Sequence, residues 1–148
     1  MAFQISLDIH RPPSDVFTLV ADVRKMPSWY EAVKEVTVTT PGPSGTGTRF
    51  QMVRSLPGGD VHNDVEVTSF DLDKEITFRS VEGPTPFRYC YRFAPTAIGT
   101  RLTLEGEISG AGLRGVAGLL NDGLASELFK RGMKKNLQAL KAVVEEGG

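Results

Sequence analysis

Apolar and polar side chains alternate at the start of the chain, with apolar residues at Phe3, Ile5, Leu7 and Ile9. This period of two predicts a strand with one buried face. The segment 12–15 then ends the strand and starts a short helix, whose N-cap we expect near Pro13 or Ser14. A second short helix is expected from Met26 to Val33, and it carries Trp29, the chain's single tryptophan.

Six further strands are predicted downstream from the alternation of their apolar residues. The residues expected on their buried faces are, strand by strand, Val36 and Val38; Phe50, Met52 and Arg54; Val61, Asn63, Val65 and Val67; Ile76 and Phe78; Phe87, Tyr89, Tyr91 and Phe93; and Leu102, Leu104 and Ile108. A glycine-containing break at residues 110–112 ends the last strand. A long helix follows and ends near Glu146.

A tight hairpin turn is predicted at Pro57-Gly58-Gly59-Asp60. If Gly58 and Gly59 form the two-residue loop, the apolar positions of the flanking strands match across the hairpin. The pairs expected from this register are Phe50 with Val67, Met52 with Val65, and Arg54 with Asn63. The arginine and the amide would then lie directly opposite each other.

The terminal helix has one apolar side, formed at helical spacing by Phe129, Met133, Leu137, Leu140 and Val144. A solvated basic face is expected at Lys130, Arg131, Lys134 and Lys135. Continued upstream, the apolar side includes Leu119, Asp122 and Ser126, so a carboxylate and a hydroxyl would face a cavity. A second apolar stripe comprises Leu113, Ala117, Leu120, Leu124 and Leu128.

This second stripe makes the upstream half of the helix apolar nearly all round. Either the helix is interrupted at Gly123 or earlier, or the stripe contacts loops at the cavity mouth, a partner subunit or a lipid surface. Glycines weaken helicity here by roughly 1 kcal/mol each relative to alanine; they are Gly112, Gly115, Gly118 and Gly123. A mobile upstream half would act as a lid over the ligand.

Runs of strands with short turns, followed by a helix, predict an α+β fold with an antiparallel sheet. We expect a curved seven-stranded sheet wrapped on the long C-terminal helix, with two short helices after the first strand. Residues 1–148 are expected to form one domain. One helix covers only part of such a sheet, so the space between them is a candidate ligand site.

Composition narrows the class of protein. Of the 148 residues, 40% are apolar and 24% charged, and the formal net charge of −1 leaves no basic surplus for binding nucleic acid. The chain has one cysteine and two histidines. We therefore expect no internal disulfide and no metal site. The sequence has no pattern of a signal peptide or membrane span, so we expect a cytoplasmic protein without integral membrane insertion.

Together with the order of elements, several segments resemble a known superfamily. They are Pro12-Pro13-Ser14-Asp15-Val16-Phe17, Asp22-Val23 through Pro27-Ser28-Trp29-Tyr30, Gly45–Phe50 and Leu137–Lys141. Over nearly its whole length the chain resembles the START-like (SRPBCC) superfamily, in particular its polyketide cyclase/dehydrase and lipid-transport branch. The resemblance implies a helix-grip fold with a deep apolar cavity. Members include lipid and hormone carriers, aromatase/cyclases and interaction modules, so the fold does not fix the chemistry.

Arg54 and Asn63 are the sharpest candidate site residues because each interrupts an apolar face. An inward arginine beside an amide can hold a carbonyl, carboxylate or enolate oxygen. In the aromatase/cyclases that the chain resembles, a cavity arginine of this kind is thought to orient a polyketide. The alternative is that both residues are solvated at the open end of the hairpin.

The aromatic residues allow two interpretations each. Tyr89 and Tyr91 would either grip an aromatic ligand or belong to an ordinary core, and Trp29 is either a gate or a packing anchor. The complete set of expected ligand-binding residues is Trp29, Phe50, Met52, Arg54, Asn63, Val65, Phe78, Tyr89, Tyr91, Leu104, Leu119, Phe129 and Met133. The candidates for catalysis are Arg54, Asn63, Tyr89 and Asp122.

The histidines and the cysteine are weaker candidates. His10 and His62 fall on polar positions of their strands and are expected at the surface. Cys90 lies between Arg88 and Arg92 on an outward position, where the positive charges would favour a thiolate. Because no histidine shares its face, we predict a structural or incidental role for it.

We expect the protein to bind a small hydrophobic molecule (lipid, polyketide or isoprenoid) without a cofactor. The first alternative is a polyketide aromatase/cyclase or dehydratase, in which Arg54 and Asn63 stabilise an enolate of a chain tethered to an acyl-carrier protein. Tyr89, Tyr91 or Asp122 would then move protons, the carboxyl only with a raised pKa. The second alternative is an interaction module using the apolar stripe of the last helix. Either a monomer or a homodimer fits the sequence.

Overall fold

The computed structural model describes residues 1–83, 86–109 and 122–147, the last range with side chains from Ala125 onward. The elements of these ranges are β1 (Ala2–Ile9), α1 (Pro13–Ala21), a 3-10 helix (Val23–Ser28), β2 (Val33–Val38), β3 (Arg49–Leu56), β4 (Gly59–Asp71), β5 (Glu75–Glu82), β6 (Phe87–Pro95), β7 (Thr100–Ile108) and α2 (Asp122–Gly147). The predicted α+β class and order of elements are confirmed.

The strands form one curved antiparallel sheet in the order β1-β7-β6-β5-β4-β3-β2. From β2 to β7 each strand pairs with the next one along the chain. The exception is β1, which pairs with β7. The chain therefore passes from one edge of the sheet to the other through α1 and the 3-10 helix. Met26 of the 3-10 helix lines the inner pocket described below.

The predicted register of the β3–β4 hairpin is wrong by two residues. Arg54 is opposite Val61 and Asn63 is opposite Met52, because the two-residue loop is Pro57-Gly58 and not Gly58-Gly59. Proline has a fixed φ near −65° and favours the first central position of a turn. Corrected for this, the pairs are Phe50 with Val65, Met52 with Asn63, and Arg54 with Val61.

The first two helices also begin earlier than predicted. Pro12 is the N-cap of α1, one residue before the expected position. The second helix is a 3-10 helix over Val23–Ser28, not a helix from Met26 to Val33. Trp29 caps its C-terminus, and Val33 is extended because it pairs with Arg54 in the sheet. Strand pairing has overridden a local helix signal here.

The C-terminal helix packs as its periodicity predicts. Its buried residues include Phe129, Met133, Leu137, Leu140 and Val144, and the exposed ones include Lys130, Arg131, Lys134 and Lys135. The ring of Phe129 meets that of Phe3 edge-on, with centroids 5.2 Å apart, which ties α2 to β1. Ser126 is half-buried and its hydroxyl donates to the Met1 sulfur at 2.7 Å.

Several expectations for the upstream part of this helix lie outside the described residues. They concern Leu113, Ala117, Leu119 and Leu120, Gly112, Gly115 and Gly118, and the side chains of Asp122 and Leu124. Gly123 is helical within α2, so the helix is not interrupted at this residue. Of the second apolar stripe, Leu128 is described and is 40% exposed. Within the described ranges no helix has the length and apolar character to cross a membrane.

Candidate functional site

The alternation along β3 turns Arg54 into the molecule with Phe50 and Met52. Arg54 is 2% exposed and Asn63 is 0% exposed, so neither is solvated at the end of the hairpin. The Arg54 Nη2 donates to the Asn63 Oδ1 at 2.8 Å. The corrected register shifts the partner by two residues, and two residues is the period of a strand, so both side chains keep the same inward face.

Four buried side-chain polar atoms, two of them in this pair, have no hydrogen-bond partner within the part of the chain that the structure describes. They are Arg54 Nε, Asn63 Nδ2, the Tyr89 hydroxyl oxygen and Trp29 Nε1. No carboxylate of the described residues forms an ion pair with Arg54. A guanidinium taken out of water is costly unless its charge and its N–H groups are compensated. The arginine is therefore under-compensated by the protein atoms around it.

Three tyrosines surround this cluster, and burial raises the pKa of each hydroxyl. For Tyr30 the positive charge of Arg54 opposes that rise. The pKa of Tyr89 is raised well above its ordinary value, by burial first and then by Tyr30, again with Arg54 opposing. The pKa of Tyr91 is raised well above its ordinary value by burial and by Tyr30. At neutral pH all three hydroxyls therefore keep their protons and can act as donors.

An outer cavity of about 480 Å³ opens between α2, the end of β3 and the loop before β2. Its lining residues are Tyr30, Glu31, Ala32, Arg54, Ser55, Leu128, Phe129, Gly132, Met133 and Asn136. This volume is within the range of roughly 300–1,000 Å³ typical of small-molecule sites. Arg54 supplies the buried charge of the lining, while Leu128 and Phe129 supply apolar surface.

A second, inner pocket lies deeper in the sheet and has a free volume of only about 10 Å³. Its lining residues are Met26, Tyr30, Phe50, Met52, Val65, Phe78, Phe87, Tyr89 and Tyr91. That volume is at the lower limit for one water molecule, so side chains fill this region. Tyr30 belongs to the linings of both spaces and separates them.

The predicted ligand-binding residues divide between these two spaces. The outer cavity brings together Arg54, Phe129 and Met133, and the inner pocket brings together Phe50, Met52, Val65, Phe78, Tyr89 and Tyr91. Three more, Trp29, Asn63 and Leu104, are buried but belong to neither lining. Leu119 and the side chain of Asp122 lie outside the described residues.

Several lining residues were absent from the predicted ligand-binding set, and Tyr30 and Asn136 are the two that matter most for the geometry of the site. Asn136 follows Met133 by three residues and Phe129 by seven, so its helical spacing was a usable signal. Its Oδ1 accepts the backbone N–H of Glu31 at 3.1 Å and so joins α2 to the loop that carries Tyr30. Tyr30 lies in that irregular loop, where no periodicity indicates which side chains point inward.

The histidines and Cys90 take no part in the cluster. His10 and His62 are exposed, as predicted. Cys90 is buried, and its thiol donates to Glu75 Oε1 at 3.2 Å. Burial raises the pKa of this thiol. It therefore disfavours the thiolate, which the neighbouring arginines were expected to favour. Across the described ranges no three side chains of metal-binding type come together.

A curved antiparallel sheet on a C-terminal helix, with a cavity between them, defines the class of START-like (SRPBCC) proteins. Within that class, the chain belongs to the polyketide cyclase/dehydrase and lipid transport family, which matches residues 2–145. An uncharacterized protein of Mycobacterium tuberculosis is 31% identical over 105 residues, or 68% of this chain. The chain spans 61% of the length of the curated relatives it matches.

Solved structures share the fold at low sequence identity. A Thermus thermophilus protein superposes with a TM-score of 0.79 and 21% identity, covering 100% of this chain and 99% of that one. An aromatase/cyclase from Streptomyces sp. R1128 gives a TM-score of 0.74 and 19% identity, covering 98% and 93%. At these identities the similarity shows a shared fold.

Proposed function

We propose that this protein binds a small hydrophobic molecule of lipid, polyketide or isoprenoid type in the outer cavity and holds one of its oxygen atoms at Arg54. The observation that carries the proposal is a buried guanidinium on the cavity wall, with no partner for its Nε and no carboxylate partner among the described residues. A carbonyl or carboxylate oxygen of the ligand would complete its hydrogen bonding.

The surroundings of Arg54 favour a ligand that is mostly apolar. Phe129 and Met133 face it from α2, and both are buried. Apolar surface of the ligand would provide most of the binding free energy, at roughly 25 cal/mol per Å² removed from water. The arginine would then fix the orientation of the molecule, because its N–H groups donate hydrogen bonds to the end of the ligand that carries an oxygen acceptor.

Retention of a ligand is the direct test. Native mass spectrometry of freshly purified protein is expected to show a bound hydrophobic molecule, which organic extraction then releases for identification. Protein that emerges without a ligand and binds no lipid, polyketide or isoprenoid probe in titrations would contradict the proposal.

The role of Arg54 is tested by Arg54→Ala, with Arg79→Ala as the matched control because Arg79 is exposed. Hydrogen bonds to charged groups contribute about 1.5–3 kcal/mol, so Arg54→Ala is expected to weaken binding of a carboxylate-bearing ligand roughly 10- to 100-fold. Isothermal titration calorimetry measures the change. Equal affinities for the two variants would show that Arg54 does not hold the ligand.

A second candidate function is cyclisation of a polyketide, favoured by the grouping of unpartnered donors among the described residues. Arg54 Nε, Asn63 Nδ2 and the Tyr89 hydroxyl are all buried, and preorganised donors of this kind stabilise an enolate oxygen. The raised pKa of Tyr89 suits it to donate a hydrogen bond and not to remove a proton. The likeness to an aromatase/cyclase is compatible with this candidate.

The two functions differ in their effect on the products of a polyketide synthase. A cyclase added to a reconstituted polyketide synthase, with its acyl-carrier protein, changes the ring pattern of the product, and Arg54→Ala abolishes the change. A carrier leaves the product distribution as it was and forms a stable complex with its ligand.

A further inference from the structure

We propose that the Tyr30 side chain is a movable partition between the outer cavity and the inner pocket, and that it limits how far a ligand chain reaches into the molecule. The inference rests on the proposed function, since it places the apolar end of the same ligand in the inner pocket, behind the outer cavity. Of the residues that the structure describes, Tyr30 is the one that both linings share.

The side chain of Tyr30 is buried, with 7% of its surface exposed, but its hydrogen bonding is weak. Its hydroxyl donates to the Met133 Sδ at 3.3 Å, and a thioether sulfur is a weak acceptor. Its ring rests on Trp29 in a tilted contact, with centroids 5.7 Å apart. Little hydrogen-bond energy is lost when this side chain moves, and a ligand oxygen would be a better acceptor for the hydroxyl than the sulfur is.

The backbone around Tyr30 is, by contrast, firmly attached. The Tyr30 N–H donates to the Met26 carbonyl at 2.8 Å, and its carbonyl accepts the Val33 N–H at 3.0 Å. The next residue, Glu31, donates its N–H to Asn136 Oδ1 at 3.1 Å. The partition can therefore move by side-chain rotation alone, without breaking the loop from the sheet or from α2.

The region behind the partition suits an apolar chain end. Phe50, Met52 and Val65 line it together with other apolar and aromatic side chains. The Tyr89 hydroxyl, buried and without a partner among the described residues, is a donor for a second oxygen on a longer ligand. With Tyr30 in place, the free volume of about 10 Å³ admits no such chain.

The test compares Tyr30→Ala, which removes the partition, with Tyr30→Phe, which keeps the ring and removes only the hydroxyl. Straight-chain carboxylic acids from octanoic to octadecanoic acid are titrated by calorimetry into each variant and the wild type. Each methylene that becomes buried adds about fourfold in affinity. In the wild type the affinity stops rising at one chain length, and in Tyr30→Ala that plateau moves to acids several carbons longer.

Tyr30→Phe is expected to keep the wild-type plateau. The same plateau in Tyr30→Ala as in the wild type overturns the partition while leaving the binding of hydrophobic acids, and hence the proposed function, intact. Failure of every acid to bind any variant overturns both. If Tyr30→Ala does not fold, Tyr30→Leu takes its place.

A crystal structure of Tyr30→Ala gives a readout that needs no ligand. The two spaces are expected to join into one continuous cavity. Collapse of Met26 or Phe87 into the vacated volume, with the inner pocket still closed, overturns the proposal.

Discussion

The chemical character of the site depends on a few buried polar residues, above all Arg54 and Asn63. Arg54 and Asn63 interrupt apolar strand faces, so strand parity alone predicted that both point inward. Parity does not give the distance between two side chains. The 2.8 Å contact between Arg54 Nη2 and Asn63 Oδ1 depends on the turn and on the reach of a long side chain across two residues of the ladder.

Replacing Asn63 with alanine is expected to destabilise the fold. Arg54 Nη2 would lose its acceptor and stay buried, which costs about 1–3 kcal/mol. Urea unfolding measures the loss as a change in the free energy of unfolding. His62→Ala is the control, because His62 is the exposed neighbour on the same strand and surface changes stay within about 0.5 kcal/mol. Equal stabilities of the two variants would mean that the buried contact contributes nothing.

At the scale of elements, the strands were predictable and the turns were less so. The β3–β4 register moved by two residues because Pro57 takes the first position of the turn. This error left every side chain on its predicted face, whereas an error of one residue would have turned Arg54 outward. The 3-10 helix was misplaced because Val33 joins the sheet, a tertiary effect that local pattern does not contain.

The hairpin turn offers a matched pair of glycines. Gly59 has a φ of +121°, while Gly58 is not in the left-handed region, and an added Cβ meets no atom within 4 Å at either position. Gly59→Ala is therefore expected to destabilise the protein by about 1–3 kcal/mol through backbone strain. Gly58→Ala is expected to be neutral or to stabilise by up to about 1 kcal/mol. Thermal unfolding of both variants checks this, and the reverse order would contradict the turn geometry.

At the scale of the whole molecule, distant parts of the chain meet at the site. The outer cavity takes Tyr30 from a loop, Arg54 from β3 and Met133 from α2. The far end of α2 is tied to β1, since Lys141 Nζ donates to the Asp8 carbonyl at 2.8 Å and Glu145 Oε2 accepts the His10 N–H at 2.9 Å. The sequence predicts each wall separately but not the volume that remains between them.

Stability is expected to fall at both ends of the pH scale. The pKa of Glu75 is lowered chiefly by the Cys90 thiol, and that of Glu145 chiefly by the His10 N–H. A lowered carboxyl pKa gives stability that is present near neutral pH and lost as pH falls below about 4. The raised pKa values of Tyr30, Tyr89 and Tyr91 give stability that is full below about pH 10 and lost above it.

Urea unfolding between about pH 3 and pH 11 measures this profile, which spans the ordinary carboxyl and phenol ranges. Tyr89→Phe is the control for the alkaline side, because removing one of the three hydroxyls is expected to make the loss of stability above about pH 10 shallower. An unchanged alkaline slope in that variant would show that Tyr89 does not contribute to it.

Trp29 has an optical consequence. It is the chain's single tryptophan, it is 2% exposed, and its ring lies against Tyr30 and 6.2 Å from Tyr91, centroid to centroid. Indole emission depends on the polarity around the ring and on energy transfer from nearby tyrosines. All intrinsic tryptophan fluorescence of this protein therefore originates beside Tyr30, and an unlabelled wild-type sample carries its own spectroscopic reporter of what happens there.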